Sequence, residues 1–594
     1  MNKHVKNTVP ADVAAQIAAA ESQCVNVSGD APAFAPPSGD KPAFDLEVVE
    51  YCAGLDRSDT DNAVRLKLHF GQDLIVMAQE GAEKPPYAVW AGTHWDFGNG
   101  PQLALKTAQK LGAAIALEVN YLGMSKSQLA DVAAAEEIEQ QEANGEAVNP
   151  SDKSKIIQRA EKAKEAFNKI KLRKLAFAEV SKNSGRMKSA LECLVPHVLA
   201  DADTFNADPH RFACLSHTIC FETSKMMVDN PAHAKDDMAP IKIEKIVAKV
   251  VAHKGHYRQD RITTVVPVAY DPAAPYPKWQ AWLEEFSPNP SVRRMLQVAT
   301  GLGLLGVTVQ RLFFHYGKGS NGKSVFMETV GRVLGDMCVS LPAESITGKQ
   351  NGSGGPSPDL ARLYGKRFLR VAELPQNEEL RIELVKKLTG GEKFPVRDLF
   401  KGYFDFTPIF VAHMSGNGYP KTQETDNGTW RRLVVVKWPK TIPTDQQRDF
   451  EDVLADFKPE YSGILNWMIE GARIFLEEGL DIAQESIEET QKYRVDMDPL
   501  AGFVGQCLEP CDKSTEGIQA SQMYGMYTLW CSENGAAPIS MTGFGKKLNG
   551  YSLPGGGSIT RDDQRIRHYH GVKIKYQPNG APNASEKYPD GYGG

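Results

Sequence analysis

The residues with the clearest chemical meaning lie between positions 317 and 324. They read Gly317-Lys-Gly-Ser-Asn-Gly322-Lys323-Ser324: a glycine, four further residues, a second glycine, a lysine and a serine. A loop of this composition turns backbone N–H groups towards phosphate oxygens, its lysine pairs with the β- and γ-phosphates, and its serine ligates Mg²⁺. The segment predicts binding and hydrolysis of ATP with Mg²⁺. The predicted nucleotide-binding residues are Gly317, Gly319, Ser320, Asn321, Gly322, Lys323 and Ser324.

Elements on both sides must position this loop. Residues 312–314 (Leu-Phe-Phe) predict a buried strand before it, and apolar residues at helical spacing from Val325 to Leu334 predict a helix after it, ended by Gly335. A strand, loop and helix in this order present a helix N-terminus to an anion. The alternative is a glycine-rich turn without a ligand, and the flanking elements favour the phosphate loop.

An acid after a second apolar strand is the candidate general base. The stretch Phe368-Leu-Arg-Val-Ala-Glu373 follows Lys323 at a distance that leaves room for a helix and a strand. A carboxylate at the end of a neighbouring strand polarises the attacking water or orients Mg²⁺. Glu373 is predicted to do this and to hold the metal together with Ser324. The alternative is a surface glutamate that follows a strand.

Two further strands offer polar residues at their ends. Asn417 follows an apolar stretch that begins at Phe406, and its amide can hydrogen-bond the γ-phosphate or the lytic water. Arg431 and Arg432 precede the strand Leu-Val-Val-Val, and a guanidinium supplied by a neighbouring subunit can stabilise the transferring phosphoryl group. The alternatives are a turn residue before Gly418 and a pair of arginines in surface ion pairs.

Length and composition indicate several soluble domains. The chain has 594 residues, of which 42% are hydrophobic and 24% charged, and a net charge of −6, which does not by itself indicate nucleic-acid binding. No apolar run has the length of a membrane span and the N-terminus has no signal-peptide core, so no membrane contact and a cytoplasmic location are predicted. Residues 153–188 and 561–575 are rich in Lys and Arg, and each alone favours a solvated face.

Composition shifts divide the chain. We expect a disordered leader over 1–44, a mostly helical N-terminal region over 45–305, an ATPase domain over 306–480, a C-terminal domain over 500–575 and a disordered tail over 576–594. Within the N-terminal region, residues 87–95 predict a hairpin, 125–199 predict helices interrupted near Asn144 and Asn149, and about 205–277 predict short strands and loops.

The order of the motifs resembles that of the superfamily 3 helicases, specifically the poxvirus and phage primase-helicase branch. The matching stretches are Tyr316 to Ser324, Leu360-Ala-Arg-Leu-Tyr-Gly-Lys-Arg-Phe368, Ala372-Glu373, Leu388-Thr-Gly-Gly-Glu392, Phe406-Thr-Pro408, Asn417-Gly-Tyr-Pro420 and Gly428-Thr-Trp-Arg-Arg-Leu433. Upstream, Asp271-Pro and Trp279-Gln-Ala-Trp-Leu283 resemble the helical primase-helicase-associated domain that precedes the ATPase in this branch.

This resemblance implies a multidomain α/β protein with an AAA+-like P-loop ATPase core. Such cores form a ring, commonly a homo-hexamer, with ATP between subunits and single-stranded DNA in the central channel. In this family Glu373 corresponds to the Walker B acid and Asn417 to the sensor. Arg432, directly before its strand, is preferred over Arg431 as the arginine finger that acts in trans.

The family also carries a channel hairpin between the Walker B acid and the sensor. The stretch Arg397-Asp-Leu-Phe400-Lys401-Gly-Tyr403 lies at that position. Lys401 can pair with a phosphate, Phe400 or Tyr403 can stack on a base, and Arg397 is the fourth predicted DNA contact. The alternative is packing around a turn.

The C-terminal domain resembles the winged-helix module that ends many members of the branch. Residues 520–531 and 542–548 predict two helices, and 565–574 predict a strand-rich wing. The predicted phosphate contacts are Lys546, Lys547, Arg565 and Arg567. The alternative is a small domain that packs on the ring or binds a partner protein.

These inferences predict an ATP-dependent, ring-forming DNA helicase that acts on single-stranded or forked DNA during replication of a phage, prophage or related mobile element. No paired-aspartate and histidine primase set is evident in the chain, so a separate primase or polymerase is expected as a partner. One alternative is an ATP-driven remodelling switch that does not unwind DNA. Another is a DNA-binding initiator in which ATP only fixes the assembly.

Overall fold

The computed structural model describes residues 44–78, 86–229, 241–348, 358–374, 378–397, 403–421, 427–498, 500–512, 517–553 and 556–578. The predicted leader and tail therefore lie outside the described residues except for residue 44 and residues 576–578. Within the described ranges, no helix is both long and apolar enough to cross a membrane.

The N-terminal part combines helices with a small sheet. Its helices are α1 (Leu46–Ala53), α2 (Asp59–Phe70), α3 (Gly100–Ala108), α4 (Leu111–Glu118), α5 (Lys126–Ala143), α6 (Pro150–Val180) and α7 (Ser184–Val198). Its strands β1 (Leu74–Met77), β2 (Tyr87–Trp90), β3 (Trp95–Asp96) and β4 (Leu199–Ala200) pair in the order β3-β2-β1-β4. The hairpin predicted over 87–95 is the antiparallel pair β2–β3.

Local signals fix the ends of α5 and α6. Ser125 and Gln128 form a capping box, in which each side chain accepts the other's backbone N–H at the start of α5. The next helix begins with Pro150 at its first position, after an Asn149 side chain that accepts a backbone N–H. The break between the two helices therefore lies at the loop that the sequence predicts.

A buried charge cluster ties four helices together. Glu118 accepts a hydrogen bond from Arg65 Nε at 2.7 Å, and its second carboxylate oxygen lies 2.6 Å from Lys174 Nζ. Arg65 and Glu118 are 0% exposed and Lys174 is 5% exposed. Both cations also donate to backbone carbonyls of residues 52–56, at the end of α1. Because buried charges are tolerated only when paired and hydrogen-bonded, this cluster holds α1, α2, α4 and α6 in register.

A second sheet leads from the N-terminal part to the centre of the molecule. Strands β5 (Arg211–Cys214), β6 (His217–Asp229), β7 (Lys242–Lys254) and β8 (Val265–Val266) pair in the order β7-β6-β5-β8, and helices α8 (Pro277–Phe286) and α9 (Pro290–Gly301) follow. The mostly helical region predicted over 45–305 thus also holds two sheets. The first includes the predicted hairpin, and the strands of the second lie within residues 205–277, where the sequence predicts short strands. Two of these strands, β6 and β7, have 13 residues each and are longer than predicted.

The central unit is a parallel sheet. Strands β9 (Leu312–Tyr316), β10 (Cys338–Leu341), β11 (Phe368–Leu374), β14 (Val411–Gly416) and β15 (Leu433–Lys437) pair in the order β10-β11-β14-β9-β15. Helices α10 (Lys323–Leu334), α11 (Pro358–Ala361), α12 (Ile382–Gly390) and α13 (Asn427–Trp430) connect them, and β12 (Phe394–Arg397) and β13 (Tyr403–Phe406) form a separate antiparallel ribbon. Because the strands are parallel, the loops after β9, β11 and β14 meet at one edge.

One hydrophobic core crosses the boundary predicted at residue 305. It joins Phe212 of the second sheet, Trp279 of α8, Phe313 of β9 and Phe326 of α10, none more than 2% exposed. The central sheet and the segment before it therefore share their stabilising contacts across the predicted boundary.

The helices after the sheet complete this unit. They are α14 (Phe450–Phe457), α15 (Tyr461–Glu478) and α16 (Gln484–Met497). The backbones of α9 and α15 touch at two glycines, since a Cβ atom on Gly301 would lie 2.3 Å from the Ala472 nitrogen and one on Gly471 would lie 2.0 Å from the Gln297 oxygen. On the sheet edge, α16 packs on β15 through Thr490, whose hydroxyl accepts the Val435 N–H at 2.9 Å. The unit therefore extends beyond residue 480, the end of the predicted ATPase domain.

The C-terminal part has its own core. It contains helices α17 (Ala501–Cys507), α18 (Ala520–Glu533) and α19 (Met541–Leu548) and strands β16 (Leu508–Pro510), β17 (Ile518–Gln519), β18 (Thr560–Arg561), β19 (His568–His570) and β20 (Val572–Ile574). The strands pair antiparallel as β17-β19-β18 and β16-β20. Phe503, Tyr527, Phe544 and Tyr569 fill the space between helices and strands.

Candidate active site

The loop between β9 and α10 adopts the unusual backbone that its glycines allow. Gly319 and Gly322 have φ angles of 101° and 85°, and Ser320 has a φ angle of 44°. Residues other than glycine rarely adopt positive φ angles. A Cβ atom on Gly322 would lie 2.7 Å from the Trp282 ring, so only glycine fits there. The loop therefore wraps tightly in front of the first turn of α10, where free backbone N–H groups point out.

Lys323, the first residue of α10, is buried among neutral acceptors. Its ammonium donates to the Gly317 carbonyl at 2.8 Å, to Asn321 Oδ1 at 2.9 Å and to Asn417 Oδ1 at 3.1 Å. Only 5% of the residue is exposed. Burial lowers the pKa of Lys323 to about 8, against the opposing effect of the nearby Glu373 carboxylate. No carboxylate among the described residues lies within ion-pair distance of it. The site thus holds a positive charge that lacks a negative partner.

Glu373 lies on a bulge in β11. The pairing of β11 with β14 shifts register between Val371 and Leu374, and Glu373 has a φ of 46°. Its backbone N–H donates to the Ser415 hydroxyl at 3.3 Å. A bulge at the end of a strand re-aims a side chain, and strained backbone of this kind clusters at functional sites. The Glu373 side chain is exposed and faces the cavity beside the loop.

Asn417 reaches the loop because of the strand order. It directly follows β14, which lies between β9 and β11, so its side chain stands between Lys323 and the Glu373 bulge. Sequence order alone does not reveal this, since β14 comes last of the three along the chain. The direct hydrogen bond to the Lys323 ammonium links the end of β14 to the glycine-rich loop between β9 and α10.

A cavity of about 470 Å³ collects these residues. Lys323, Ser324, Glu373 and Asn417 line one side, together with the backbone of residues 319–322. The Asn321 amide nitrogen is buried and has no hydrogen-bond partner among the described residues, so it remains available to an acceptor. Hydroxyl and carboxylate oxygens of Ser324 and Glu373 in one cavity suit Mg²⁺, and the lysine and the free amide suit phosphate.

The rest of the cavity lining mixes apolar residues with polar and charged ones, among them Glu285, Lys440 and Arg448, and no sequence motif marks it. Trp282 and Phe286 of α8 stack on each other with ring centroids 4.8 Å apart, and Ile442 and Pro443 face the same space. An aromatic face beside a phosphate site suits a nucleobase. The signal in the sequence is the spacing of Trp279, Trp282 and Phe286, which places three aromatic rings along one side of a helix that precedes the glycine-rich loop.

The two arginines lie at the far end of the sheet. Arg432 precedes Leu433, which pairs with Leu312, the first residue of β9, whereas the glycine-rich loop follows the last residue of β9. The length of a five-residue strand, about 16 Å, separates the two ends. One Arg432 guanidinium nitrogen donates to the Gly428 carbonyl at 2.7 Å, and both Arg431 and Arg432 help to lower the pKa of the nearby Arg311, after burial. The structure therefore does not bring Arg431 and Arg432 to the cavity of their own chain.

The predicted DNA contacts fall in two places. The backbone of Arg397 pairs with that of Tyr403 across β12 and β13, while Phe400 and Lys401, and the side chains of Arg397 and Tyr403, lie outside the described residues. In the C-terminal part, Lys546 is exposed and Lys547 half-buried in the last turn of α19. Arg565 and Arg567 are exposed in the turn between β18 and β19.

Two buried histidines connect the strands next to the site. The Trp438 indole N–H donates to His315 Nδ1 at 3.0 Å, and His315 Nε2 lies 2.9 Å from His413 Nδ1. Both histidines are 0% exposed, and burial holds the pKa of His413 at about 3 and that of His315 well below its usual range. These neutral side chains connect β14, β9 and the residue after β15.

Two regions of the chain match known families. Residues 63–288 match the family described as D5 N terminal like, and residues 495–554 match the family described as Poxvirus D5 protein-like. The chain is 26% identical over 269 residues to "Putative helicase L207/L206" of Acanthamoeba polyphaga mimivirus, covering 43% of this chain and 28% of that protein. It is 30% identical over 175 residues to "Putative helicase 022R" of Frog virus 3, covering 29% of this chain and 18% of that protein.

A third relative carries a different name. "Putative primase C962R" of African swine fever virus is 27% identical over 198 residues, covering 32% of this chain and 20% of that protein. The matches to these three relatives span less than a third of each relative's length. Together with the two D5 matches, they support a D5-like primase-helicase family of large DNA viruses, and they confirm the predicted resemblance to the poxvirus branch at that level.

Among solved structures, the apo form of the NrS-1 C-terminal region is similar to this chain at 12% identity and a TM-score of 0.29, covering 46% of this chain and 59% of that chain. A second apo structure of that region, spanning its residues 305–718, aligns at 9% identity and a TM-score of 0.31, covering 52% and 78%.

Proposed function

We propose that the protein is an ATP-dependent, ring-forming DNA helicase that acts in replication of a virus, phage or related mobile element. The observation that carries the proposal is the buried Lys323 ammonium, whose partners among the described residues are all neutral acceptors and which shares its cavity with Glu373 and Asn417. The helicase names of the relatives agree with this chemistry.

ATP would lie with its phosphates against the loop and its base against Trp282 and Phe286. Lys323 would exchange part of its contact with Asn417 for a phosphate oxygen, so Asn417 would sense whether the γ-phosphate is present. Glu373 would accept a proton from the water that attacks the γ-phosphorus, as the bond to the β,γ-bridging oxygen breaks. Mg²⁺, held by Ser324 and Glu373, would offset charge on the phosphate oxygens.

The position of the two arginines is an argument for a ring of several chains. Because Arg431 and Arg432 lie about one strand length from their own phosphate loop, about 16 Å, they can reach a phosphoryl group only on a neighbouring chain. An arginine supplied in trans raises the rate of phosphoryl transfer strongly, so hydrolysis would depend on assembly. This argument favours Arg432, next to the strand, and leaves Arg431 as the second candidate.

Contacts with DNA would come from two regions. The ribbon β12–β13 would carry Arg397, Phe400, Lys401 and Tyr403 towards the channel. In the C-terminal part, a helix with basic residues in its last turn and a basic turn between two strands would together contact a DNA backbone through Lys546, Lys547, Arg565 and Arg567.

The test measures ATP hydrolysis with and without single-stranded DNA, and unwinding of a forked duplex, for the wild type and Glu373→Gln. DNA-stimulated hydrolysis and strand separation, both lost in the variant, are expected. Glu344→Gln, which changes an exposed glutamate in the short turn after β10 and outside the stretches that resemble the helicases, is the matched control and should retain both activities.

Each other outcome has a definite meaning. Hydrolysis that ignores DNA, without strand separation, overturns the helicase in favour of a switch or initiator. DNA binding that survives Lys323→Ala and needs no hydrolysis supports the initiator. Equal activity of Glu373→Gln and the wild type removes Glu373 from the proposed mechanism.

A further inference from the structure

We propose that one exposed face of α6 binds the phosphate backbone of duplex DNA. This inference rests on the proposed function, because a helicase must hold the duplex that it opens as well as the strand in its channel. The surface, called the α6 basic face, consists of Lys155, Arg159, Lys162, Lys169 and Arg173, all of them exposed.

The spacing puts these five cations on one side of the helix. They follow each other at intervals of four, three, seven and four residues. At about 100° per residue these intervals keep all five within an arc of about 80°, and at about 1.5 Å per residue they span about 27 Å. The helix runs unbroken from Pro150 to Val180, so the charges form a straight row.

The row is largely free of acidic partners. Lys155 lies 3.9 Å from Asp152 and Lys169 lies 2.7 Å from Glu165, and in both pairs each side chain is more than 60% exposed. Such exposed pairs exchange readily with another anion. For Arg159, Lys162 and Arg173, no acidic group lies within ion-pair distance among the residues with described positions.

The charge of α6 contrasts with that of the whole protein. Residues 150–180 include nine Lys or Arg and four Asp or Glu, a net charge of +5, whereas the chain carries −6. The neighbouring helix α5 is acidic, but the ion pair between them, Lys153 with Glu142 at 2.6 Å, joins their adjoining ends and uses no residue of the α6 basic face. A local positive row of this kind is complementary to a nucleic-acid backbone.

The absence of exposed aromatic rings selects duplex over single-stranded DNA. All residues of α6 are described, and its two aromatic residues, Phe167 and Phe177, are both buried at 9% exposure. Sites for single strands usually add aromatic rings on which bases stack. A straight row of cations without such rings fits the sugar-phosphate backbone of a double helix, without preference for sequence.

The experiment measures binding of a blunt 30-base-pair duplex of random sequence over a range of salt concentrations. The test variant combines Arg159→Gln, Lys162→Gln and Arg173→Gln. The control variant combines Lys67→Gln, Lys164→Gln and Lys188→Gln, which removes the same three charges from exposed positions outside the α6 basic face. Gln has nearly the helix propensity of Lys and Arg, so both variants should fold.

The slope of log K against log[salt] should become shallower by about 2.7 in the test variant, because each lost phosphate contact removes about 0.9. At 100 mM salt we expect at least tenfold weaker duplex binding, with wild-type values in the control. Stimulation of ATP hydrolysis by single-stranded DNA should not change, because that stimulation depends on the channel.

Equal slopes for the test variant and the wild type would overturn the proposal and leave a solvated helix face. An equal loss in both variants would also overturn it, since it would show an effect of net charge alone. A wild type whose hydrolysis ignores DNA would instead contradict the proposed function. That result can be told apart, because duplex binding and its slope are measured without ATP.

Discussion

Lys174 and Lys323 are equally buried, at 5% exposure each, but their surroundings are opposite. Lys174 lies 2.6 Å from the Glu118 carboxylate, which also accepts from Arg65. Lys323 contacts two side-chain amide oxygens and one backbone carbonyl, all neutral. A buried cation with a carboxylate partner is compensated within the fold, whereas one with neutral partners is costly to bury and its charge can still pair with an anion.

The largest effect should come from removing the partner of Lys174. Glu118→Ala leaves Arg65 and Lys174 buried without a carboxylate and should lower the free energy of unfolding of the N-terminal part by about 3–5 kcal/mol. Thermal unfolding followed by circular dichroism measures it. The control Glu165→Ala breaks the exposed pair with Lys169 and should cost no more than about 0.5 kcal/mol. Similar unfolding temperatures for both variants would show that the buried pair of Lys174 and Glu118 contributes no more to stability than an exposed pair does.

Lys323→Ala should show the reverse behaviour. Loss of a buried, partly desolvated ammonium should leave the unfolding temperature of the free protein unchanged or raised, while a non-hydrolysable ATP analogue binds more weakly by about 2–3 kcal/mol. Calorimetric titration and the thermal shift caused by the analogue measure the two effects. Lys318→Ala removes an exposed lysine from the same loop and should bind as the wild type does. A strongly destabilised Lys323→Ala would place this lysine in the same class as Lys174.

The pH dependence of nucleotide binding should sharpen the comparison. With a pKa of about 8 in the free protein, Lys323 is protonated below pH 8 and loses its proton above it. Affinity for the analogue should therefore be nearly constant up to about pH 7, fall by about twofold at pH 8, where half of the lysine has lost its proton, and fall by up to tenfold per pH unit at higher pH, apart from the titration of the nucleotide itself. The same titration with Lys323→Ala provides the control, since its weaker binding should lack this decrease. A flat profile for the wild type up to pH 9.5 would contradict the assigned charge state.

A smaller effect should separate the base from the phosphates. Trp282→Ala removes the ring that faces the cavity and should weaken ATP by about 1 kcal/mol, the lower end of the stacking range, with little change in inorganic triphosphate binding. Trp282→Phe keeps an aromatic face and should recover most of the affinity. Competition with inorganic triphosphate measures the difference. Equal losses for ATP and triphosphate would show that Trp282 only supports Gly322 and the loop.

The sequence predicts those features of the site that are local along the chain. The strand β9, the loop and α10 follow from one apolar run, Gly317 and Gly322, and one helical repeat, and the break between α5 and α6 follows from Asn144 and Asn149. These signals are local because the backbone conformation that they require involves neighbouring residues only.

Contacts between segments that are distant along the chain could not be predicted from such local patterns. The apolar part of the cavity lining combines α8 with residues 442–443. These two segments are more than 150 residues apart in the chain, and no local sequence pattern predicts their contact. The strand order that puts Asn417 beside Lys323, the bulge at Glu373 and the core that crosses residue 305 all depend on pairings between distant segments. The arginines could be recognised as a pair, but their distance from the cavity follows only from the register of β9 and β15.

The register of β9 and β15 predicts how the rate of hydrolysis depends on protein concentration. If the phosphate site and its arginine belong to different chains, each chain alone is half of an enzyme, and activity per molecule should fall on dilution. Chains altered at Lys323 still offer an intact Arg432, and chains altered at Arg432 still offer an intact Lys323. Mixing the two inactive preparations should therefore restore hydrolysis by complementation, because some interfaces would then pair a sound site with a sound arginine.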